Sequence, residues 1–418
     1  MTLGGAAWTL TGCRDSGLAA PLSASLDVLA ERYVRLALKL AKHQPSLVEA
    51  WLGPPAWSNG SRVPVPALSA EAATLLLDLE ARAAGDQATG LPQARRIYLL
   101  GQVRALAAAA RRLLGESQAF VDEARVTFGH VPSPRNAPAF DAIREQLSGL
   151  LPGPGTLADR HAAFRQAMAV PADRVEAVFA AAVDWCRTAS RALLPLPAGE
   201  NLTTRVADEA GWEAFSRPSG PRASDVWVAR RGSADAAHLL QLAAHEATPG
   251  HHAQHVLATA ELVDALGWQE RALAPAFGPH RLVAEGSAEA GADLLLPLET
   301  RERVCRDLLM PAALQRPAAA ARLVRIERLV AGLGMEVAHT AHAYLDSSLP
   351  SADVAARLRD DALVLDPAGM VVFIEKQRAK VLAYPLGRQL VAQAVDAAPA
   401  ADRWGRFRSI STTLTLEA

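Results

Sequence analysis

The residues of this chain best suited to chemistry lie in segment 245–255, which consists of the residues HEATPGHHAQH. One large class of zinc peptidases carries H-E-x-x-H on a helix, where two histidines four residues apart bind the metal beside a glutamate base. The first two residues here fit that pattern, but Pro249 occupies the position of the second histidine. The next histidines, His251 and His252, follow at offsets of six and seven. The segment is therefore either an accidental cluster or a metal-binding motif with two added residues.

Pro249 distinguishes these interpretations, because it cannot lie inside a regular helix. In a straight helix six residues rise about 9 Å and seven about 10.5 Å, too far for either later histidine to share a zinc ion with His245. The proline ring clashes with the carbonyl group four residues earlier, and Gly250 permits backbone shapes closed to other residues. We predict that the helix bulges or unwinds here and brings His251 or His252 to the metal.

A third protein ligand is expected from the acidic segment 284–293. Glu285 and Glu289 are four residues apart and therefore share one face of a helix that is otherwise small and apolar. Such a helix can pack closely beside the motif helix. Glu285 is the predicted ligand, and Glu289 or Asp293 is predicted to orient a ligand histidine. The remaining histidines of the cluster are expected on solvated helix faces: His238, His255 and His280.

The run H-E-A-x-P-G-H-H-x-Q, followed by E-G-x-A at Glu285, resembles the bacterial domain-of-unknown-function 885 family. That family is considered related to the gluzincin peptidases, which include carboxypeptidases of the Taq type. The resemblance implies a zinc peptidase in which His245, His251 and Glu285 hold Zn²⁺. Glu246 is then expected to take the proton of the zinc-bound water as it attacks a peptide carbonyl.

A further resemblance lies near the C-terminus, where Tyr384 to Gly387 matches the family's closing Tyr-x-x-Gly segment. In related peptidases a tyrosine from a late helix stabilises the oxyanion, so Tyr384 is expected to donate that hydrogen bond. Arg378 or Lys380 is expected to pair with a substrate carboxylate. His252 is expected either to replace His251 as ligand or to contact the substrate.

The expected substrate is a short peptide attacked from one end. Lys plus Arg number 43 and Asp plus Glu 44, so the balance of charge gives no reason to expect nucleic acid or an anionic membrane as a partner. A zinc hydrolase of a non-peptide amide or ester stays a possible alternative. So does a catalytically degenerate binding protein of the same fold, suggested by Ser287, Ala290 and Ala292 where the family carries other residues.

The fold that positions these residues is predicted to be mainly α, a multi-helix gluzincin-like or Taq-like architecture with a small sheet before the motif helix. Its regions are a flexible tail at 1–21, a helical region at 22–200 and a metal-binding helical region at 201–418, the last two forming one unit. Short β-rich runs at 201–206 and 225–230 predict the sheet, with turn residues at 217–220 between them. Apolar periodicity predicts the longer helices at 26–42, 70–84, 94–114, 175–194, 233–262, 279–298, 318–345, 351–363 and 367–395.

The cysteines bear on where the protein works. Cys13, Cys186 and Cys305 are odd in number and far apart, which favours a reducing compartment and a cytoplasmic protein. Residues 10–13, Leu-Thr-Gly-Cys, also have the form of a lipoprotein cleavage site. If the true start lies upstream, the alternative is a lipoprotein anchored through Cys13.

Overall fold

The computed structural model describes residues 25–84, 89–208, 212–230, 234–346 and 350–416. The predicted tail at 1–21 and Cys13 lie outside these residues. The described chain is mainly helical with two small sheets, which confirms the predicted fold class at that level. Its α-helices are α1 (Leu26–Ala41), α2 (Val65–Ala84), α3 (Leu91–Leu113), α4 (Phe120–Phe128), α5 (Ala137–Leu150), α6 (Leu157–Met168), α7 (Val175–Ser190), α8 (Ala236–Glu246), α9 (His251–Ala258), α10 (Gly278–Leu295), α11 (Leu298–Val304), α12 (Met310–Ala312), α13 (Ala320–Ala331), α14 (Gly334–Asp346), α15 (Ser351–Asp360), α16 (Pro367–Gln377), α17 (Pro385–Asp396) and α18 (Arg403–Thr413).

Two helices predicted as continuous are interrupted. The one expected at 318–345 is split between α13 and α14 at Gly332 and Leu333, where glycine is a poor helix former. The one expected at 367–395 is split by a 3₁₀ segment, Arg378–Leu382, which ends just before α17. Pro385 lacks an N–H group and fits the first turn of a new helix better than the middle of an old one.

The predicted sheet before the motif helix is present and has three strands. These are β2 (Asn201–Ala207), β3 (Ala214–Gly220) and β4 (Ala223–Ala229), with β4 in the centre, parallel to β2 and antiparallel to β3. Residues 217–220, expected to form the turn, instead complete β3, and the turn lies at Pro221 and Arg222. Pro218 is tolerated there because β3 is an edge strand.

A second, two-stranded sheet was not predicted. In it β1 (Val48–Trp51) pairs antiparallel with β5 (Leu273–Pro275). Strands of four and three residues are too short to give a clear apolar period, and their partners are far apart in sequence. This pairing brings a segment of region 22–200 against region 201–418, the predicted metal-binding part of the chain.

Helix α10 packs against α3, α8 and α17, and it meets α17 almost backbone to backbone. A Cβ atom added at Gly286 would lie 2.7 Å from the Cα of Gly387, and one added at Gly387 would lie 3.0 Å from the Cα of Gly286. Only glycine allows this approach. It holds Tyr384, at the start of α17, beside Glu285 on α10. Among the described residues, none of the helices is long and apolar enough to cross a membrane.

Candidate metal centre

The motif helix is interrupted where Pro249 predicts. α8 ends at Glu246 and α9 begins at His251, and four residues between them leave the regular helical path. The amide of Gly250 donates to the carbonyl of Ala244 at 3.0 Å, a bond that spans six residues in place of the usual four. This wider turn absorbs the two added residues. As a result the ring centres of His245 and His251 lie 4.8 Å apart.

Only glycine fits at position 250, because the backbone of α8 lies too close for a side chain. A Cβ atom at this position would overlap the carbonyl oxygen of His245 and lie 2.8 Å from that of Ala244. Both neighbours are backbone atoms, which cannot move without changing the turn. The glycine therefore belongs to the geometry that brings the two histidines together.

We expect Gly250→Ala to lower the free energy of unfolding by about 3 kcal/mol or more and to weaken zinc binding, because the turn must open. Urea denaturation and zinc titration measure the two effects. Gly149→Ala is the matched control: this exposed helical glycine has no atom within 4 Å of an added Cβ, so stability should be unchanged or rise by up to about 1 kcal/mol. A Gly250→Ala protein as stable as wild type would contradict the close contact.

Three side chains converge on one point between α8, α9 and α10. Nε2 of His245 lies 3.2 Å from Oε2 of Glu285, and Nε2 of His251 lies 3.5 Å from the same oxygen. One ligand atom from each residue lies within 4.8 Å of the others. Tetrahedral zinc, with bonds of about 2.0–2.1 Å, separates its ligand atoms by about 3.3 Å. The number, type and spacing of these atoms therefore fit a zinc ion.

The opposite edge of each histidine ring is held by a second residue. Nδ1 of His245 lies 3.0 Å from Glu289, whose other oxygen accepts a hydrogen bond from Gln241 at 3.0 Å. Nδ1 of His251 lies 3.3 Å from Oε1 of Gln254, and the amide nitrogen of Gln254 donates to a carbonyl group of α10. A ring that donates from Nδ1 leaves Nε2 free for a metal. Glu289 thus lies where the sequence predicts it.

Arg281 fixes the third candidate ligand. Its guanidinium lies 2.6 Å from Oε1 of Glu285, so the other oxygen, Oε2, is the one that faces both histidines. Although burial opposes ionisation, Arg281 and His251 hold the pKa of Glu285 well below its usual range. Burial also favours a neutral His245, yet its hydrogen bonds to Glu285 and Glu289 raise the pKa of that ring well above its usual value. The centre is thus an anionic carboxylate facing two imidazoles.

Glu246 and Tyr384 border the same point. Glu246 is buried, and its Oε2 has no hydrogen-bond partner among the described residues. Burial raises the pKa of this carboxyl group, which suits a proton acceptor. The ring of Tyr384 lies 6.3 Å from that of His245. The negative charge of Glu285 raises the pKa of Tyr384, so its hydroxyl group keeps its proton at neutral pH.

These residues open onto a cavity of about 430 Å³. Its walls include β1, β5 and the edge strand β3, so both sheets contribute. His255 and His280 also line it, which corrects their expected positions on solvated faces. His255 bonds to the Gly220 carbonyl at 2.8 Å, while His238, the third such histidine, is half-buried and lies 3.1 Å from Glu213.

His252 does not belong to the centre, which corrects its predicted role as alternative ligand or substrate contact. The ring is fully buried, with Nδ1 3.0 Å from the hydroxyl group of Ser224 and Nε2 2.9 Å from Glu200. Both ring nitrogens are thus engaged on the side of the three-stranded sheet. The hydrogen bond from His252, with the help of Arg187, lowers the pKa of Glu200 to about 2. His252 therefore joins α9 to the sheet.

Three other predicted positions also need correction. Arg378 lies 2.7 Å from Glu123 and donates to a nearby carbonyl group. Together with Lys380 it lines a separate cavity of about 150 Å³, so neither side chain lines the cavity at His245, His251 and Glu285. Asp293, an alternative to Glu289, contacts arginines and not a ligand histidine: Arg301, Arg328 and Arg388.

Some residues of the centre were not predicted from the sequence. Arg281 could have been found, because it precedes Glu285 by four residues and so shares its helix face. Gln241 likewise precedes His245 by four residues on α8, whereas Arg271 carries no such signal, since its neighbours in the site come from distant segments.

Comparison with known proteins gives a fold relative but no family. No family model matches the chain, and no curated protein matches it. A solved structure described as a "putative lipoprotein" from Colwellia psychrerythraea has 13% identity and a TM-score of 0.53, over 93% of this chain and 72% of that one. Another, from Shewanella oneidensis, described as a "putative lipoprotein of unknown function", has 11% identity and a TM-score of 0.47, over 83% and 76%. The first likeness shows a shared fold alone.

Proposed function

We propose that this chain is a zinc-dependent peptidase that hydrolyses short peptides, with His245, His251 and Glu285 as the metal ligands. The observation that carries the proposal is the convergence of these three ligand atoms within 4.8 Å, beside a buried carboxylate. That carboxylate, on Glu246, has an oxygen without a hydrogen-bond partner among the described residues. A metal centre with an adjacent free base is the arrangement that hydrolysis requires.

When bound, zinc would polarise the scissile carbonyl group and make water a stronger nucleophile. Glu246 is placed to accept the proton of the attacking water and to pass it to the leaving amine. Tyr384, which keeps its proton, can donate a hydrogen bond to the oxygen on which negative charge develops. Glu289 and Gln254 hold the two imidazoles in the orientation that presents Nε2.

The cavity supports a short, extended substrate. At about 430 Å³ it has room for a few residues of a peptide, not for the surface of a folded protein. β3 is an edge strand and lines the cavity, so the backbone on its outer edge can bind an extended peptide as an added strand. These features favour an exopeptidase or oligopeptidase, and a substrate screen separates it from a hydrolase of other amides or esters.

Close packing of α10 explains why the residues that follow Glu285 are small. Ser287, Ala290 and Ala292, the residues that differ from those of the family, are all buried in the packed faces of α10. Their size therefore does not favour the alternative of a degenerate binding protein, which would bind metal weakly while folding normally.

The proposal is tested by zinc content and activity measured together. Purified protein supplied with zinc should hold about one ion per chain and hydrolyse short peptides, and a chelator should abolish hydrolysis until zinc is restored. His245→Ala should lose both properties. His238→Ala is the control on the same helix, because that ring pairs with Glu213 away from the centre. Wild-type protein that retains no stoichiometric zinc would refute the proposal.

The cellular location is also a proposal. The Colwellia protein is described as a "putative lipoprotein", which agrees with the cleavage-site form of residues 10–13 in this chain. We therefore propose lipid attachment at Cys13 as the alternative to a cytoplasmic protein. The mass of the protein isolated from its own cells, with or without a lipid on Cys13, distinguishes the two.

A further inference from the structure

Arg271 is a buried arginine on the wall of the metal cavity. Its side chain is 8% exposed, and its guanidinium lies over the ring of Tyr98, with 4.3 Å between Cζ and the ring centre. NH2 donates to the carbonyl of Thr412 at 3.0 Å, whereas Nε and NH1 have no hydrogen-bond partner among the described residues. Two donors of a buried cation are thus left without an acceptor.

No carboxylate within the described residues forms an ion pair with Arg271. The adjacent Glu270 is engaged elsewhere, because its two oxygens accept from Arg95 at 2.6 and 3.1 Å. A buried charge without a partner is costly, so such a group commonly marks a place where a ligand supplies the opposite charge. Arg271 lies on the wall of the cavity, so a ligand that enters the cavity can reach both Arg271 and the three candidate metal ligands.

His280 lies beside Arg271, and buried hydrogen bonds hold its backbone and its ring in place. The backbone N–H of His280 donates to Oε1 of Gln102 at 3.0 Å, which orients that amide so that Nε2 donates to the Tyr33 oxygen at 3.1 Å. The hydroxyl group of Tyr98 lies 3.0 Å from Nδ1 of His280, so this ring nitrogen is occupied.

Because a hydroxyl group can either donate or accept, the ring of His280 is free to carry its proton on Nε2. Burial, together with the positive charges of Arg271 and Arg281, holds the pKa of the ring well below its usual value, so it is neutral. A neutral imidazole with Nδ1 occupied has one remaining polar atom, Nε2. Since His280 lines the cavity, Nε2 can donate its proton to an anion held by the guanidinium next to it.

We propose that Arg271 and His280 form a subsite that binds a carboxylate group of the substrate. The inference rests on the proposed peptidase function, whose substrate it restricts to peptides that carry this anion. The carboxylate can come from the C-terminus of the peptide or from an acidic side chain, and both present the same two oxygens to the same donors.

Binding of small peptides to the zinc-loaded Glu246→Gln protein tests the subsite without turnover. The probes are N-acetyl-Ala-Ala, its C-terminal amide, and N-acetyl-Ala-Glu-amide, titrated calorimetrically. One of the two anionic probes should bind at least about tenfold more tightly than the neutral amide, and the tighter one identifies the source of the carboxylate. Equal affinity for all three would overturn the inference, and this comparison needs no change at Arg271.

Adding Arg271→Met should remove most of that preference, and adding His280→Phe should reduce it several-fold. Arg217→Met is the matched control, because Arg217 also lines the cavity but is exposed on β3. If Arg217→Met removed the preference and Arg271→Met did not, the carboxylate would bind at β3 and the inference would be wrong. Thermal unfolding of each variant shows that a lost preference is not a lost fold.

The two proposals fail separately. A preference for the anionic probe without any hydrolysis by the wild-type protein would refute the peptidase and keep the subsite. Hydrolysis of the C-terminal acid, its amide and the glutamyl amide with equal kcat/KM would keep the peptidase and refute the subsite.

Discussion

Replacing Glu246 with glutamine is expected to leave the zinc content unchanged and to lower kcat by about 10²–10⁴-fold. Glu246 is in the cavity but is not one of the three converging ligands. An amide of nearly the same shape can occupy its place but cannot accept a proton. The measurement is kcat on a short peptide, with metal analysis of the same preparations.

Glu289→Gln is the matched control for this prediction. It makes the same chemical change at a residue that contacts a ligand histidine and not the attacking water. Glu289 contacts Nδ1 of His245, so its loss should weaken zinc binding by about 10–100-fold. At saturating zinc most of the kcat should return, which Glu246→Gln cannot achieve. If Glu246→Gln kept full activity, Glu246 would not be the base.

The parts of the centre that the sequence predicts are those governed by local chemistry. Pro249 is incompatible with a regular helix whatever surrounds it, so an interruption between His245 and His251 follows from covalent geometry. The spacing of Glu285 and Glu289 likewise places both on one helix face. These inferences need no knowledge of the rest of the fold.

The parts that the sequence could not provide depend on distant partners. Arg378 pairs with Glu123, 255 residues away, and that contact removes it from the cavity where the motif had placed it. The short pairing of β1 with β5 is equally invisible, yet it builds a wall of the cavity. Long-range contacts of this kind are set by packing of the whole chain, which periodicity does not report.

The choice between His251 and His252 also depends on distant partners, and it yields the second prediction. His251→Ala is expected to weaken zinc binding by more than the roughly 100-fold that loss of an outer contact can cause, because it removes a ligand. Stability without metal should change little, since His251 is only half-buried. His252→Ala should do the reverse: retain zinc and lower the free energy of unfolding by about 2–4 kcal/mol.

The two variants are expected to have opposite effects because the two rings have different partners. His251 faces the oxygen of Glu285 that also faces His245, whereas His252 is enclosed by Ser224 and Glu200. Deleting the His252 ring leaves those two groups without their partner inside the protein. Zinc titration and urea denaturation of both variants, the latter in chelator, separate the two effects. If His252→Ala lost zinc and His251→Ala kept it, α9 would be rotated relative to this structure, and the ligand set would need to include His252.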